Sequence, residues 1–202
     1  MPPNCPHGYL TKHESIAIQG VPNLFIRSLL DKQQFYDPED AALALGISSA
    51  FWSLFGLLWP SGSKLAERMA LRPVNANERI LEIGCGLALS SLVGHRRGAN
   101  ITASDCHPLA GEFLKENLRL NQLGPMNYRH GHWGEHATQH QDLAVGSKFD
   151  LIIGSDILYE RDERGDLAQY INQHVEDHSE VWVVDPNRGN RSHFHRNMAA
   201  QG

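Results

Sequence analysis

From residue 79 onward, short apolar runs and amphipathic stretches take turns, and this alternation is the strongest constraint on the fold. "RILEIGC" reads as a buried strand, and "LALSSLVGHRR" follows it as a helix ending near Gly98. "NITASD" is a second strand. "PLAGEFLKENLRLN" is an amphipathic helix whose apolar residues are Leu109, Phe113, Leu114, Leu118 and Leu120. "NYRHGHW" supplies a third strand, and "FDLIIGSDIL" a fourth with the near-continuous apolar character of a central parallel strand. A helix in "ERGDLAQYINQHV", a fifth strand in "EVWVVDP" and a helix in "RSHFHRNMAAQ" complete the series. The pattern predicts an α/β, doubly wound, mostly parallel sheet, with the loops after the strands gathered along one ligand-binding edge.

Residues 1–75 follow another rule. "ESIAIQG" is expected to form a short strand, "VPNLFIRSLLDKQQF" a helix, and "PSGSKLAERMAL" a helix beginning at Pro60. We read 1–75 as an N-terminal, largely helical cap on a core spanning 76–202, in one domain overall. The net charge of −5 argues against a nucleic-acid partner, which calls for a basic footprint. The longest apolar run, "AFWSLFGLLW", is too short for a bilayer span of about 20 residues. The N-terminus has no signal-peptide layout, and Cys5, Cys85 and Cys106 do not form a disulfide framework, so a cytoplasmic placement is expected.

The loop in "RILEIGCGLALSSL" raises the question of its ligand. Gly84 and Gly86 begin a dinucleotide-type turn, but Leu89 stands where the third glycine belongs, and no Lys-Ser/Thr pair follows as in a P-loop. Glu82 precedes the glycines, where a carboxylate repels a pyrophosphate and attracts a cation. Asp105 ends the next strand about 20 residues on, in position to accept a ribose diol. A ligand with a ribose, an amino group, a positive charge and no phosphate is S-adenosylmethionine.

"ILEIGCGLALSSL", "ITASDCHPLA" and "FDLIIGSDILYERDE", in that order, resemble the first motif, second-strand acid and fourth motif of class I, Rossmann-like methyltransferases. "GLLWPSGSKLAERM" and the Asp-x-x-Tyr of Asp156–Tyr159 narrow the resemblance to the protein-lysine methyltransferases of methyltransferase family 16. The resemblance spans roughly 50–200. It implies that Glu82, Gly84 and Gly86 line the methionine side of the cofactor. Asp105 would take the ribose, with Cys106 and His107 beside the adenine and Trp133 lying against it. His132 stands where the family often has an acidic residue. Trp59 would lie near the cofactor's entry, and Ser155 and Asp156 would close the pocket.

Methyl transfer needs a nucleophile held in line with the S–C bond and no covalent residue. Asp156 is then the group that orients an incoming amine, and Tyr159 offers an oxygen or a ring face. "DPNRG" at 185–189 is expected at the same edge. His130, His132, His136 and His140, with His193 and His195, invite a metal reading, but no cysteine stands nearby and a solvated histidine-rich loop is expected. The acceptor implied by the resemblance is a lysine of a protein, with a small-molecule amine as runner-up. A non-catalytic cofactor-binding scaffold and a nicotinamide oxidoreductase are the other readings. The two further strands that usually finish this fold are expected to be absent, through truncation or through cover by another segment. An open edge would leave either a monomer or a dimer.

Overall fold

The computed structural model describes residues 8–75, 77–134 and 144–201. The alternating part forms β3 (Arg79–Ile83), α3 (Leu89–Arg96), β4 (Asn100–Asp105), α4 (Ala110–Leu120), β5 (Asn127–His130), β6 (Phe149–Ser155), α5 (Asp166–His174), β7 (Val175–Val184) and α6 (Arg191–Ala199). Strands and helices follow the order in which the alternation of apolar runs placed them.

All strand pairs of the larger sheet are parallel, in the order β5-β4-β3-β6-β7. The chain moves outward from β3 to β5, then returns to lay β6 on the other side of β3. This reversal of winding opens a crevice at the carboxyl ends of β3 and β6. Leu81 of β3 and Leu151 and Ile153 of β6 are fully buried, as expected of strands covered on both faces. Among the described residues no strand follows β7. That strand begins at Val175, earlier than "EVWVVDP" suggested. Its register shifts between the pairs Phe149/Val175 and Leu151/Glu180. Ser179 closes the irregular stretch, donating to the Phe149 carbonyl and accepting from the Glu176 N–H.

The N-terminal segment departs from expectation. "VPNLFIRSLL" is a strand, not a helix: β2 (Leu24–Leu29) pairs antiparallel with β1 (Thr11–Ile16), so the cap opens with a hairpin. Leu24, Ile26 and Ser28 point inward while Phe25 is exposed and Arg27 half-buried, a period of two. The backbone of β2 finds partners that local sequence cannot reveal. Arg27 N–H donates to Asn117 Oδ1 (2.8 Å) and Phe25 N–H to Asn121 Oδ1 (3.0 Å), while Asn121 Nδ2 returns a bond to the Phe25 carbonyl (2.7 Å). Two asparagines of α4 and its end thus satisfy an edge that would otherwise be left open.

After the hairpin come α1 (Ala41–Ala44), a 3₁₀ turn (Trp52–Gly56) and α2 (Pro60–Leu71), which starts at the predicted proline. One apolar core joins Leu24, Ile26 and Leu29 of the hairpin to Trp52, to Phe113 of α4 and to Ile80 of β3. Each such side chain contributes about 1.5–3 kcal/mol on full burial. The N-terminal segment is therefore held in place at the mouth of the crevice.

Candidate active site

The loops after β3, β4, β6 and β7, with residues 45–59 of the N-terminal segment, surround a cavity of about 660 Å³. Trp59, Glu82, Gly84, Gly86, Asp105, Cys106, Trp133, Ser155, Asp156 and Tyr159 all line it. The volume falls within the roughly 300–1,000 Å³ usual for a small-molecule site.

The floor is the turn between β3 and α3. Gly84 (φ 56°), Gly86 (φ 50°) and Ala88 (φ 57°) take left-handed conformations. A Cβ on Gly86 would lie 2.8 Å from the Phe55 carbonyl oxygen, and one on Gly84 would lie 2.8 Å from Ile157 Cγ2. Both glycines are thus required by space as well as by backbone angle. Gly86 N–H donates to Asp105 Oδ2 and His107 N–H to Asp105 Oδ1, each at 2.8 Å. Burial raises the Asp105 pKa, and these backbone donors pull it back.

Glu82 has a second task that the sequence did not announce. Its Oε2 accepts the Ser91 N–H (2.8 Å) and the Ser91 hydroxyl, capping the first turn of α3. Burial lifts its pKa from an ordinary 4.5 to about 7, with the Ser91 bonds acting in the opposite direction.

His107 stacks on Phe55 (centroids 3.7 Å apart, planes 12° from parallel). Its Nδ1 accepts the Leu109 N–H (3.2 Å), so Nε2 carries the proton. Nε2 is buried without a partner among the described residues. Burial lowers this histidine to about 3, leaving it a neutral donor on the cavity wall. Cys85 and Cys106 also line the cavity, and burial raises both thiols, which stay protonated at neutral pH.

The opposite wall belongs to β6 and β7. Asp156 follows β6 in a left-handed conformation (φ 56°), and its N–H donates to the Val184 carbonyl (3.0 Å). Its carboxylate is buried, and neither oxygen accepts a directed hydrogen bond from a described residue. Arg188 Nη2 lies 2.8 Å from Oδ1 as an ion pair. A buried, non-glycine residue held in a sparsely populated backbone region marks a site where geometry is being enforced. Tyr159 is 45% exposed at the rim, its ring 6.0 Å from that of the exposed Phe51. Trp59 is fixed by its Nε1–H bond to the Leu54 carbonyl (2.9 Å), and Ser155 lies beside the start of α2 near Gly62. Trp133 packs on Tyr170 (5.8 Å), while His132 reaches the Leu45 carbonyl (3.2 Å).

Sequence reasoning marked the "DPNRG" stretch but not Arg188 itself, and it missed Ser48, Phe51 and Phe55. These last come from a segment without periodicity, where only the density of aromatics in "FWSLFGLLW" hinted at a wall. Glu82, Asp105, Asp156 and Glu160 line the cavity, and Arg188 is the one Lys or Arg among its described lining residues. Among the described residues no cluster of three His, Cys, Asp or Glu is disposed to hold a metal ion. His136 and His140 of the histidine-rich stretch lie outside the described residues. No helix among the described residues is long and apolar enough to cross a membrane.

The fold matches that of a solved S-adenosylmethionine-dependent methyltransferase from Agrobacterium tumefaciens. The TM-score is 0.58 at 16% identity, over 100% of this chain and 60% of that one. The protein has the α/β fold of a methyltransferase. It belongs to the lysine methyltransferase family, whose model matches residues 53–201. The electron transfer flavoprotein beta subunit lysine methyltransferase of Xenopus laevis is 24% identical over 91% of this chain and 71% of its own length. The calmodulin-lysine N-methyltransferase of Arabidopsis thaliana is 25% identical over 87% of this chain and 58% of its own. The chain spans 50% of the Danio rerio counterpart of the first relative.

Proposed function

We propose that this protein methylates a lysine side chain of a protein substrate, with Asp156 as the group that seats the amine. The observation that carries the reading is the Asp156 carboxylate, buried at the cavity that the glycine turn also lines, with neither oxygen accepting a directed hydrogen bond from a described residue. An amine N–H supplies the missing donor. The rim of Phe51 and Tyr159 favours a large acceptor over a small free amine, because exposed aromatics at a cavity mouth suit a protein surface.

The residues present fit the cofactor. Gly84 and Gly86 leave a cradle that a Cβ would fill, and the Nε2–H of His107, without a partner among the described residues, offers a donor to a heterocycle. In this reading Glu82, Gly84 and Gly86 back the methionine portion and Asp105 accepts the ribose hydroxyls. Cys106 and Trp133 flank the adenine, while Trp59 and Ser155 close the entry. S-adenosylmethionine supplies, when bound, a methyl group on a positively charged sulfur. The protein's work is to orient the amine in line and to exclude competing water. Loss of the lysine proton from a pKa of about 10.4 costs roughly 4–5 kcal/mol at pH 7, so the environment of Asp156 decides much of the rate. The excess of acidic over basic side chains around the cavity disfavours a nucleic-acid acceptor. The free thiols Cys85 and Cys106 support a reducing compartment such as the cytoplasm.

The test is transfer of labelled methyl from S-adenosylmethionine into a demethylated extract, separated into protein and small-molecule fractions. Base-stable label in a discrete protein band supports the reading. Asp156→Asn, which keeps shape and tolerates the left-handed backbone, should lower transfer by about 100-fold, the order usual for an essential polar group at a reacting centre. Label confined to small molecules would move the acceptor to a metabolite amine, and an undiminished Asn variant would remove Asp156 from the seat.

A further inference from the structure

The turn after β7 carries a group whose position the reaction can use. Asp185 Oδ1 accepts the N–H of Asn187 (2.6 Å) and of Arg188 (3.1 Å), with Asn187 at φ 66°. Asn190 Nδ2 donates to the Leu158 carbonyl (2.8 Å), tying this turn to the loop after β6. The Arg188 guanidinium thereby sits 5.5 Å above the Trp59 ring and 2.8 Å from Asp156 Oδ1. Other ionisable groups face the same cavity. They are Glu82 from the end of β3, Cys85 from the glycine turn, Asp105, Cys106 and His107 from the end of β4, His132 beyond β5, and Tyr159 and Glu160 from the loop after β6. None of these supplies a fixed positive charge.

We propose that Arg188 is a positioning residue for methyl transfer: paired with Asp156, it makes the acceptor seat neutral overall, so that the amine is received as the free base. The proposal rests on the reading that Asp156 seats the amine. A lone carboxylate there would raise the amine's pKa and hold it as an ammonium, which has no lone pair to give. The guanidinium cancels that charge. Among the described residues the carboxylate oxygens still lack directed donors, so they accept an N–H and aim the lone pair. The lone pair then forms the N–C bond as the S–C bond breaks, the bonding electrons staying on sulfur. The surplus proton on nitrogen leaves to water past the exposed Tyr159 and Glu160.

The seat's charge can be read without knowing the acceptor. Sinefungin carries an ammonium on carbon where the cofactor carries its sulfonium methyl, and S-adenosylhomocysteine carries nothing there. Both are titrated calorimetrically into the full chain near pH 7.5, and the ratio of their affinities is the readout. In the native protein the two should bind alike. In Arg188→Met the ratio should shift toward sinefungin by roughly tenfold, about one close charge pair's worth. Arg188→Lys should restore the native ratio, and Asp156→Asn should shift it the other way. The advantage in Arg188→Met should fade near pH 10.5, where the probe's ammonium deprotonates. An unchanged ratio in Arg188→Met, with S-adenosylhomocysteine still bound, overturns the proposal and leaves the cofactor site standing. Arg188→Gln repeats the test should the Met variant fold poorly. Absence of S-adenosylhomocysteine binding to the native chain would instead bring down the reading beneath it.

Discussion

The two ends of the cavity are built by different means. At the β3–β4 end the accepting capacity of the wall's carboxylates is largely spent within the protein. Asp105 holds two backbone N–H groups, Glu82 caps α3 through Ser91, and Gly84 and Gly86 are packed against Ile157 and Phe55. At the β6–β7 end it is unspent. Asp156 is buried with an ion pair but no directed hydrogen bond from a described residue, and Tyr159 and Phe51 stand at the open rim. A wall completed by its own backbone holds one ligand shape reproducibly. A wall with unsatisfied acceptors leaves its last bonds to be made by what enters.

The contrast can be broken most sharply at Gly86. Gly86→Ala keeps φ near 50° and brings a Cβ to 2.8 Å from the Phe55 carbonyl oxygen, so backbone must move. Strain of this kind costs about 1–3 kcal/mol. We expect S-adenosylhomocysteine affinity to fall roughly tenfold to a hundredfold, since 1.4 kcal/mol is a factor of ten. Calorimetry that found native affinity would show that the turn is not held as tightly as its contacts imply.

Glu82→Gln sharpens the comparison through pH. The Glu82 pKa rises to about 7 from an ordinary 4.5 on folding, so the folded state binds its proton more tightly than the unfolded chain. Its contribution is complete below about pH 4.5 and is lost as pH rises through about 7, to a total on the order of 1–3 kcal/mol. Glutamine retains an acceptor for Ser91 and does not titrate. The native protein should therefore lose melting temperature against the variant between pH 5 and pH 8. His107, whose lowered pKa acts with the opposite sign below about 6.5, is common to both proteins and cancels in the difference. A constant gap between the two melting temperatures would show that Glu82 is ionised throughout.

The smallest effect belongs to Tyr159→Phe. The ring stays against Phe51 and only the hydroxyl of a half-exposed residue is removed, which is worth about 0.5–1.5 kcal/mol, or twofold to tenfold in rate. Methyl transfer slowed more than a hundredfold, with cofactor affinity unchanged, would give the hydroxyl a part in the chemistry that its exposure does not suggest.

The parallel sheet was legible because its strands, covered on both faces, must be nearly continuous in apolar residues. The amphipathic α4 was legible because one face alone is buried. The hairpin of the N-terminal segment was not. Its period of two is short, and "NLFIRSLL" carries enough apolar residues to satisfy a helix as well. What decides for a strand is Asn117 and Asn121, some ninety residues away, which bond the β2 backbone. The glycine turn and the Asp105 position were readable because backbone angle and strand-end placement restrict which residue types can stand there. The partner of Asp156 was not, since Arg188 reaches it only after β7 has been laid beside β6.

By itself the sequence determined the α/β order, the strand-end loops that gather at one edge, and the glycine turn between the first parallel strand and its helix. Each follows from local periodicity and the allowed backbone angles of a few residues. Only the tertiary structure decided that Glu82 caps a helix, that His107 Nε2 is buried without a partner among the described residues, and that Arg188 pairs with Asp156. These are meetings of side chains far apart along the chain, and their charges and hydrogen bonds take value from distance and burial, which no local pattern encodes.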